Sequence, residues 1–452
     1  MATGSRTRLI PVLAGGAALL LVLASTAAAQ EPGGAPAAEI DSGATAWILA
    51  SSALVLFMTP GLALFYAGMV RAKNVLGTMM HSVFCMGLIT VQWVLVGYSI
   101  SFGESSAGGL YGSMKHAFLS GVPHDKAFPG TQIPHMLHMS YQMMFAIITA
   151  ALISGAFAER IKFSSFAVFT LLWTTLVYDP LAHWVWGGGI LSDVAGTWIT
   201  ETMGTGALDF AGGTVVHISS GVSALVFCLI IGKRRGYPTQ PMLPNNLVNT
   251  TLGAGILWFG WFGFNGGSGL GADGRAVSAF TVTHICAASG ALGWAAIEWF
   301  HRGKSSILGV ATGLVAGLVC ITPAAGFVEP MPALFMGLIV SAACYFFVAV
   351  LKNKLGYDDS LDAFGVHGVG GVVGALLTGV FCSPLASLGG KTAGWNQLGA
   401  QAIAVGVTIA YAGIVTLILV LLIDKTIGMR CSEDDELAGL DLSQHGEAGY
   451  NP

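Results

Sequence analysis

Eleven stretches of the chain are apolar for long enough to cross a hydrocarbon core, which takes about 20 helical residues. They run approximately over 44–69, 78–101, 136–158, 163–184, 209–232, 245–264, 277–300, 307–327, 331–351, 364–382 and 398–424. Long apolar runs separated by short polar segments predict helices rather than strands, because backbone groups in lipid must find partners within their own segment. The pattern therefore predicts an all-α polytopic membrane protein with eleven transmembrane helices. Ahead of the first run, residues 1–29 read as a secretory signal peptide. Arg6 and Arg8 are its basic end, Leu9 to Ala24 its apolar run, and Ala27-Ala28-Ala29 before Gln30 its cleavage site. The rival reading is a further membrane helix followed by a short polar spacer. The chain divides into the signal peptide 1–29, an extracytoplasmic segment 30–43, a membrane domain 44–424 and a cytoplasmic tail 425–452.

Charge fixes the direction of the alternation. With the mature N-terminus outside, thirteen basic residues fall on the cytoplasmic side, among them Arg71, Lys73, Arg160, Lys162, Lys233, Arg234 and Arg235. Four fall outside: Lys115, Lys126, Arg275 and Lys391. That bias predicts N-out/C-in and supports an odd number of spans. Only 9% of the 452 residues are charged and 54% are hydrophobic, which excludes a soluble enzyme, a disordered chain and a nucleic-acid binder. The 63 glycines predict close helix–helix contact.

Five spans make an odd block, so a second copy of spans 1–5 in spans 6–10 must lie inverted. The sequence predicts two inverted five-helix repeats plus a final helix. Span 5 opens Asp209-Phe-Ala-Gly-Gly-Thr-Val-Val-His217, and span 10 opens Asp362-Ala-Phe-Gly-Val-His367. On a helix His217 lies about 12 Å past Asp209, and His367 about 7.5 Å past Asp362. Entering from opposite faces, the two imidazoles approach the midplane together. An ionisable residue at that depth is a functional candidate. Asp209 is expected to cap span 5 and to stabilise a cation at the outer mouth; Asp362 is expected to cap span 10.

The aromatics Tyr141, Phe145, Trp186, Trp261 and Phe264, with Ser268, fall at the outer-side ends of spans 3, 4 and 6, where ring faces attract cations. His81 and His301 are expected near the interfaces, and His284 in packing. His135 and His138 have i,i+3 spacing but lack the further ligands of a metal site. The seven cysteines read as small buried hydrophobes. No nucleophile–base set or metal motif points to an enzyme, and no cofactor is implied.

The chain closely resembles the ammonium transporters of the Amt/Mep/Rh superfamily, and their bacterial Amt branch in particular. The resemblance covers nearly all of residues 44–452. It is carried by Ala158-Glu-Arg-Ile-Lys162, Ala182-His-Trp-Val-Trp-Gly-Gly-Gly189, the Asp209–His217 stretch, Gly260-Trp-Phe-Gly-Phe-Asn265 with Ser268, Thr322-Pro-Ala and Phe364-Gly-Val-His-Gly368. It implies a homotrimer in the cytoplasmic (inner) membrane, in contact with lipid, with one path for ammonium or ammonia through each protomer. By motif position, Trp186, Phe145 and Ser268 are the outer substrate site and Asp209 supports it. Phe145 and Phe264 are the stacked phenyl gate. His217 and His367 are the paired pore histidines, with Trp261 and Thr322 in lesser pore-lining roles.

The chemistry follows from the residue types. An apolar path makes the bare ion expensive and neutral ammonia cheap, so deprotonation outside and reprotonation inside would exclude alkali cations. Gly439-Leu-Asp-Leu-Ser-Gln-His-Gly-Glu447 resembles the Amt tail signature, which implies coupling between protomers and a PII-type signal protein as partner. The alternatives are an ammonium sensor acting through such a partner, and an Rh-like channel for the neutral gas. Three departures from the family pattern stand out: Tyr141 where Phe is common, a longer outer segment over 189–206, and Cys431 with Ala448-Gly449 in the tail.

Overall fold

The computed structural model describes residues 39–387 and 390–450. The signal peptide over 1–29, its cleavage site and most of the segment 30–43 lie outside the described residues. Among the described residues, ten helices are long and apolar enough to cross a membrane. In chain order these are α1 (Ser42–Met69), α2 (Ala72–Phe102), α3 (His135–Ala156), α4 (Phe163–Val185), α5 (Gly213–Ile231), α6 (Leu247–Gly266) and α7 (Gly274–Arg302). After the shorter apolar helix α8 (Ile307–Ile321) come α9 (Pro330–Leu355), α10 (Phe364–Phe381) and α11 (Trp395–Thr426). The protein is an all-α polytopic membrane protein.

The helix starts follow local chemistry. Asp41 accepts from the Ala44 N–H at 2.6 Å, and Asn246, Asp273 and Ser306 cap α6, α7 and α8 in the same way. Two of the expected spans begin or end elsewhere. The run 307–327 is helical only to Ile321, because Pro323 has no N–H to continue the ladder, and residues 322–327 form turns. The run from Asp209 becomes helical at Gly213.

Small residues bring the helices together. A Cβ on Gly221 of α5 would lie 2.1 Å from the Gly368 nitrogen of α10. Only glycine there lets α5 and α10 touch backbone to backbone. Gly253 of α6 does the same against α1, where a Cβ would stand 2.4 Å from the Phe65 nitrogen.

The two touching helices share one construction at their heads. Asp209 caps α5; Gly212, three residues on, has φ +114°; and His217, eight on, lies in a π-helical turn. In α10 the corresponding residues are Asp359, Asp362 with φ +61° and His367, again in a π-helical turn. The cap of α10 is thus Asp359 and not Asp362. Asp359 accepts from the N–H groups of Ala363 (3.1 Å) and Phe364 (2.8 Å). The left-handed bend at Asp362 turns its carboxylate away to Lys352.

His81 is enclosed by aromatic rings. It is 3% exposed, with its ring 4.4 Å from that of Phe166 and further contacts to Phe157 and Phe163. All seven cysteines are buried, including Cys431 in the tail.

The tail is a docked strap rather than a solvated acidic end. Lys162 N–H donates to Met429 O, and Cys431 N–H to Arg160 O. Leu440 N–H donates to Asn74 Oδ1 at 2.8 Å, and Asp441 Oδ1 accepts from Gly77 N–H at 2.7 Å. Beneath it lies a buried charge network. Glu159 pairs with Arg71 (3.0 Å) and Arg234 (3.2 Å), and Arg234 pairs with Asp358 (2.9 Å). Burial alone would raise both carboxyls. The Arg234 guanidinium, with Arg71 on Glu159 and Arg160 on Asp358, outweighs burial and holds both below their ordinary values of 4.5 and 3.8.

Arg234→Met leaves two buried carboxylates short of their partner and is expected to cost about 3–5 kcal/mol. Thermal unfolding in detergent measures it. Because the folded pKa values are depressed, this stabilisation is complete above the ordinary carboxylate values. It is lost as pH falls through the lower folded values. The wild type should therefore lose more stability on acidification below about pH 4.5 than Arg234→Met does.

Candidate functional site

On the face opposite the tail, the helix ends surround a cavity of about 420 Å³. Its wall includes Phe102, His138, Gln142, Phe145, Trp186, Asp209 and Ser268. Helix α3 supplies His138, Gln142 and Phe145 from one face, at i, i+4 and i+7. The Trp186 indole is held by its Nε1–H, which donates to the Asp209 carbonyl at 2.8 Å, and Phe145 meets its ring edge-on at 6.1 Å. Ser268 Oγ donates to Phe264 O at 2.7 Å. The Tyr141 hydroxyl lies 2.9 Å from the carbonyls of Gly263 and Phe264, and 3.3 Å from Ser268 Oγ. The phenol thus fastens the C-terminal end of α6, a contact that a phenylalanine at 141 could not make.

Asp209 owes its place to the backbone. Oδ1 accepts from the N–H groups of Gly212 (2.7 Å) and Gly213 (2.6 Å), and Oδ2 from those of Thr214 (2.7 Å) and Val215 (3.3 Å). Thr214 Oγ1 donates to Oδ2 as well. The carboxylate is therefore fully used as a cap. It acts on the cavity through its charge and through the carbonyl that anchors Trp186.

The floor of the cavity is the Phe145–Phe264 pair, stacked with centroids 4.2 Å apart and planes at 30°. Behind it lies a second space of only about 10 Å³, lined by Leu62, Ile148, Leu257, Val315, His217, Trp261, Phe264 and His367 among others. The two histidine rings lie 5.3 Å apart with planes at 13°, and Nδ1 faces Nδ1 at 3.3 Å. One hydrogen between two such nitrogens serves both, so the pair can share a proton. His217 Nε2 is buried without a partner. The Trp261 ring lies against His217 at 5.5 Å, and its Nε1–H donates to Thr322 Oγ1 at 2.9 Å.

Of the predicted site residues, Trp186, Phe145, Asp209 and Ser268 line the large cavity, His217, His367, Trp261 and Phe264 line the small space, and Thr322 is hydrogen-bonded to Trp261. The predictions did not include His138, Gln142 or Asp359. His138 Nδ1 lies 3.0 Å from Tyr98 Oη, and the His138 ring stacks on Phe128 at 3.6 Å. The i, i+4, i+7 spacing to Gln142 and Phe145 was the signal that could have placed it. The segment 189–206 forms part of the rim. Asp193 and Val194 line the large cavity, and Asp193 pairs with Lys391.

The profile of the Ammonium Transporter Family matches residues 46–450. The chain belongs to this family. It is 46% identical over 423 residues to an ammonium transporter of Aquifex aeolicus, covering 92% of this chain and 95% of that one. Among solved structures, Mep2 of Candida albicans superposes with a TM-score of 0.81 at 35% identity, covering 91% of each chain. A protein described as a sensor Amt protein gives 0.81 at 28% identity, covering 89% of this chain and 98% of that one.

Asp209→Ala removes the cap from buried N–H groups and is expected to lower stability by at least about 2 kcal/mol. Asp209→Asn, which keeps one carbonyl acceptor, should fall between it and the wild type. Melting of the purified variants in detergent reads the order.

Proposed function

We propose that the protein moves ammonium across the cytoplasmic membrane by separating it into ammonia and a proton. One observation carries the reading. Two buried histidines meet nitrogen to nitrogen in an otherwise apolar space of about 10 Å³, closed off by stacked phenyl rings. Trp186, Phe145 and Ser268 recruit the cation at the outer cavity through ring faces and a hydroxyl oxygen. Asp209 adds favourable negative charge. Phe145 and Phe264 part to admit the deprotonated molecule, and His217 and His367 line its way and pass the proton. Trp261 and Thr322 hold the wall behind His217. Potassium matches the charge but has no proton to lose, and desolvating it in this space has no compensation.

The membrane domain crosses in eleven spans, N-out and C-in, as two inverted repeats and a final helix. The shared Asp, left-handed residue and π-turn histidine at the heads of α5 and α10 support the repeat. The assembly is a homotrimer in the inner membrane. The docked tail receives a PII-type signal protein. A sensing role through that partner is the second reading, favoured by the likeness to a sensor Amt protein.

Solid-supported-membrane recordings on proteoliposomes containing this protein alone test the reading. Ammonium should evoke a current that potassium does not. His217→Ala should lower ammonium flux by about two orders of magnitude, in the range lost when a positioned proton-transfer group is removed. Full selective flux with both histidines replaced would sink the relay. Binding without flux would favour the sensor, and flux without charge movement the neutral-gas channel.

A further inference from the structure

One buried acid takes no part in the path above. Asp179 of α4 is 0% exposed, and none of the ion pairs among the described residues includes it. Its Oδ2 accepts from Gln92 Nε2 of α2 at 2.6 Å. Its Oδ1 is buried with no hydrogen-bond partner, and so is Gln92 Oε1. Two acceptors are therefore left without a donor in two groups already joined by one hydrogen bond. A single hydrogen on the carboxyl supplies what both lack.

The site is built to hold this contact. The α-helical ladder of α2 widens into a π-turn over Trp93–Gly97, directly after Gln92. That of α4 widens over Thr174–Tyr178, directly before Asp179. A Cβ on Gly97 would lie 2.7 Å from Gln92 Oε1, so glycine there makes the space for the amide. The second hydrogen of Gln92 Nε2 reaches Thr175 Oγ1 at 3.1 Å. Of the other polar groups nearby, His183 and Tyr98 are engaged elsewhere, while the Tyr178 hydroxyl is buried without a hydrogen-bond partner. The His183 nitrogens lie 3.1 Å from Ser101 O and 2.9 Å from Ser105 Oγ, and Tyr98 Oη is on His138. Tyr178, on the same stretch of α4, is a hydrogen donor and brings no positive charge. An isolated carboxylate in such a place is far costlier than a neutral acid.

We propose that Asp179 is a proton-binding site outside the conduction path. It stays a neutral acid and forms a two-point pair with Gln92: Nε2–H to Oδ2, and Oδ1–H to Oε1. The pair fastens the π-turn of α2 to that of α4. Trp186 is the residue that ends α4, seven after Asp179, so the two lie on the same side of the helix. Asp179 is thus a positioning residue for the Trp186 indole. This last step rests on the recruitment role proposed for Trp186; the bound proton does not.

Infrared difference spectra of the reconstituted protein, wild type against Asp179→Asn, test the proton directly. The wild type should show a protonated-carboxyl band that Asp179→Asn lacks. The band should persist through neutral pH, far above the ordinary carboxylate value of about 4. Absence of any such difference overturns the proposal, whatever the protein transports. Gln92→Leu should shift the band to that of an unpaired acid; an unmoved band overturns the pairing. Asparagine reproduces the donor and acceptor of the neutral acid, so Asp179→Asn should melt near the wild type and Asp179→Leu well below it. Equal losses in the two variants would contradict a neutral acid. In transport, Gln92→Leu should raise the ammonium concentration for half-maximal current more than it lowers the maximal current. An unchanged half-maximal concentration would remove the positioning role and leave the proton.

Discussion

The contact on which the rest depends is the backbone approach of α5 and α10. Each helix begins inside the protein, where water cannot satisfy its first N–H groups. Each solves this with a buried aspartate eight residues before its histidine. Glycines at the crossing remove the side chains that would hold the helices apart. The histidine pair is then a result of helix geometry rather than of an attraction between imidazoles. The same Asp209 that starts α5 fixes Trp186 through its carbonyl, so the histidine pair and the aromatic mouth hang from one residue.

Much of this was legible in the sequence because it is periodic or local. Apolar runs gave the helices to within a few residues. The Asp–His spacing singled out three of the four residues at the heads of the crossing helices, Asp209, His217 and His367. The fourth, Asp359, was missed for a local reason. Asp358-Asp359-Ser-Leu-Asp362 offers three carboxylates within five residues, and which one caps depends on the left-handed bend at Asp362. Spacing cannot reveal that bend. The length of α8 was overestimated because composition continues apolar past Pro323 while the backbone does not. The three phenyl rings around His81 come from other segments of the chain. Contacts between distant segments, such as Gln92 with Asp179 and Tyr141 with the end of α6, leave no periodic trace.

The tail face follows a different logic. There the chain gathers its fixed charges, and it buries several of them. Arg234 joins two carboxylates that belong to separate connections, one after α3 and one after α9. The tail then lies over this cluster through backbone hydrogen bonds and through Arg430 and Glu436. Its hydrogen bonds fall on Asn74 and Gly77 at the start of α2, on Arg160 between α3 and α4, and on Phe163 at the start of α4. The opposite face relies on aromatic rings and capped helix ends, with the ion pairs Asp193–Lys391 and Glu104–Lys115 among the described residues.

The space beside the histidines has a consequence of its own. Its walls are apolar apart from the two imidazoles and the Trp261 indole, so a charged guest would find few groups there to replace its water shell. A neutral guest of the same size would give up far less on entering. The lining therefore discriminates by charge before it discriminates by size.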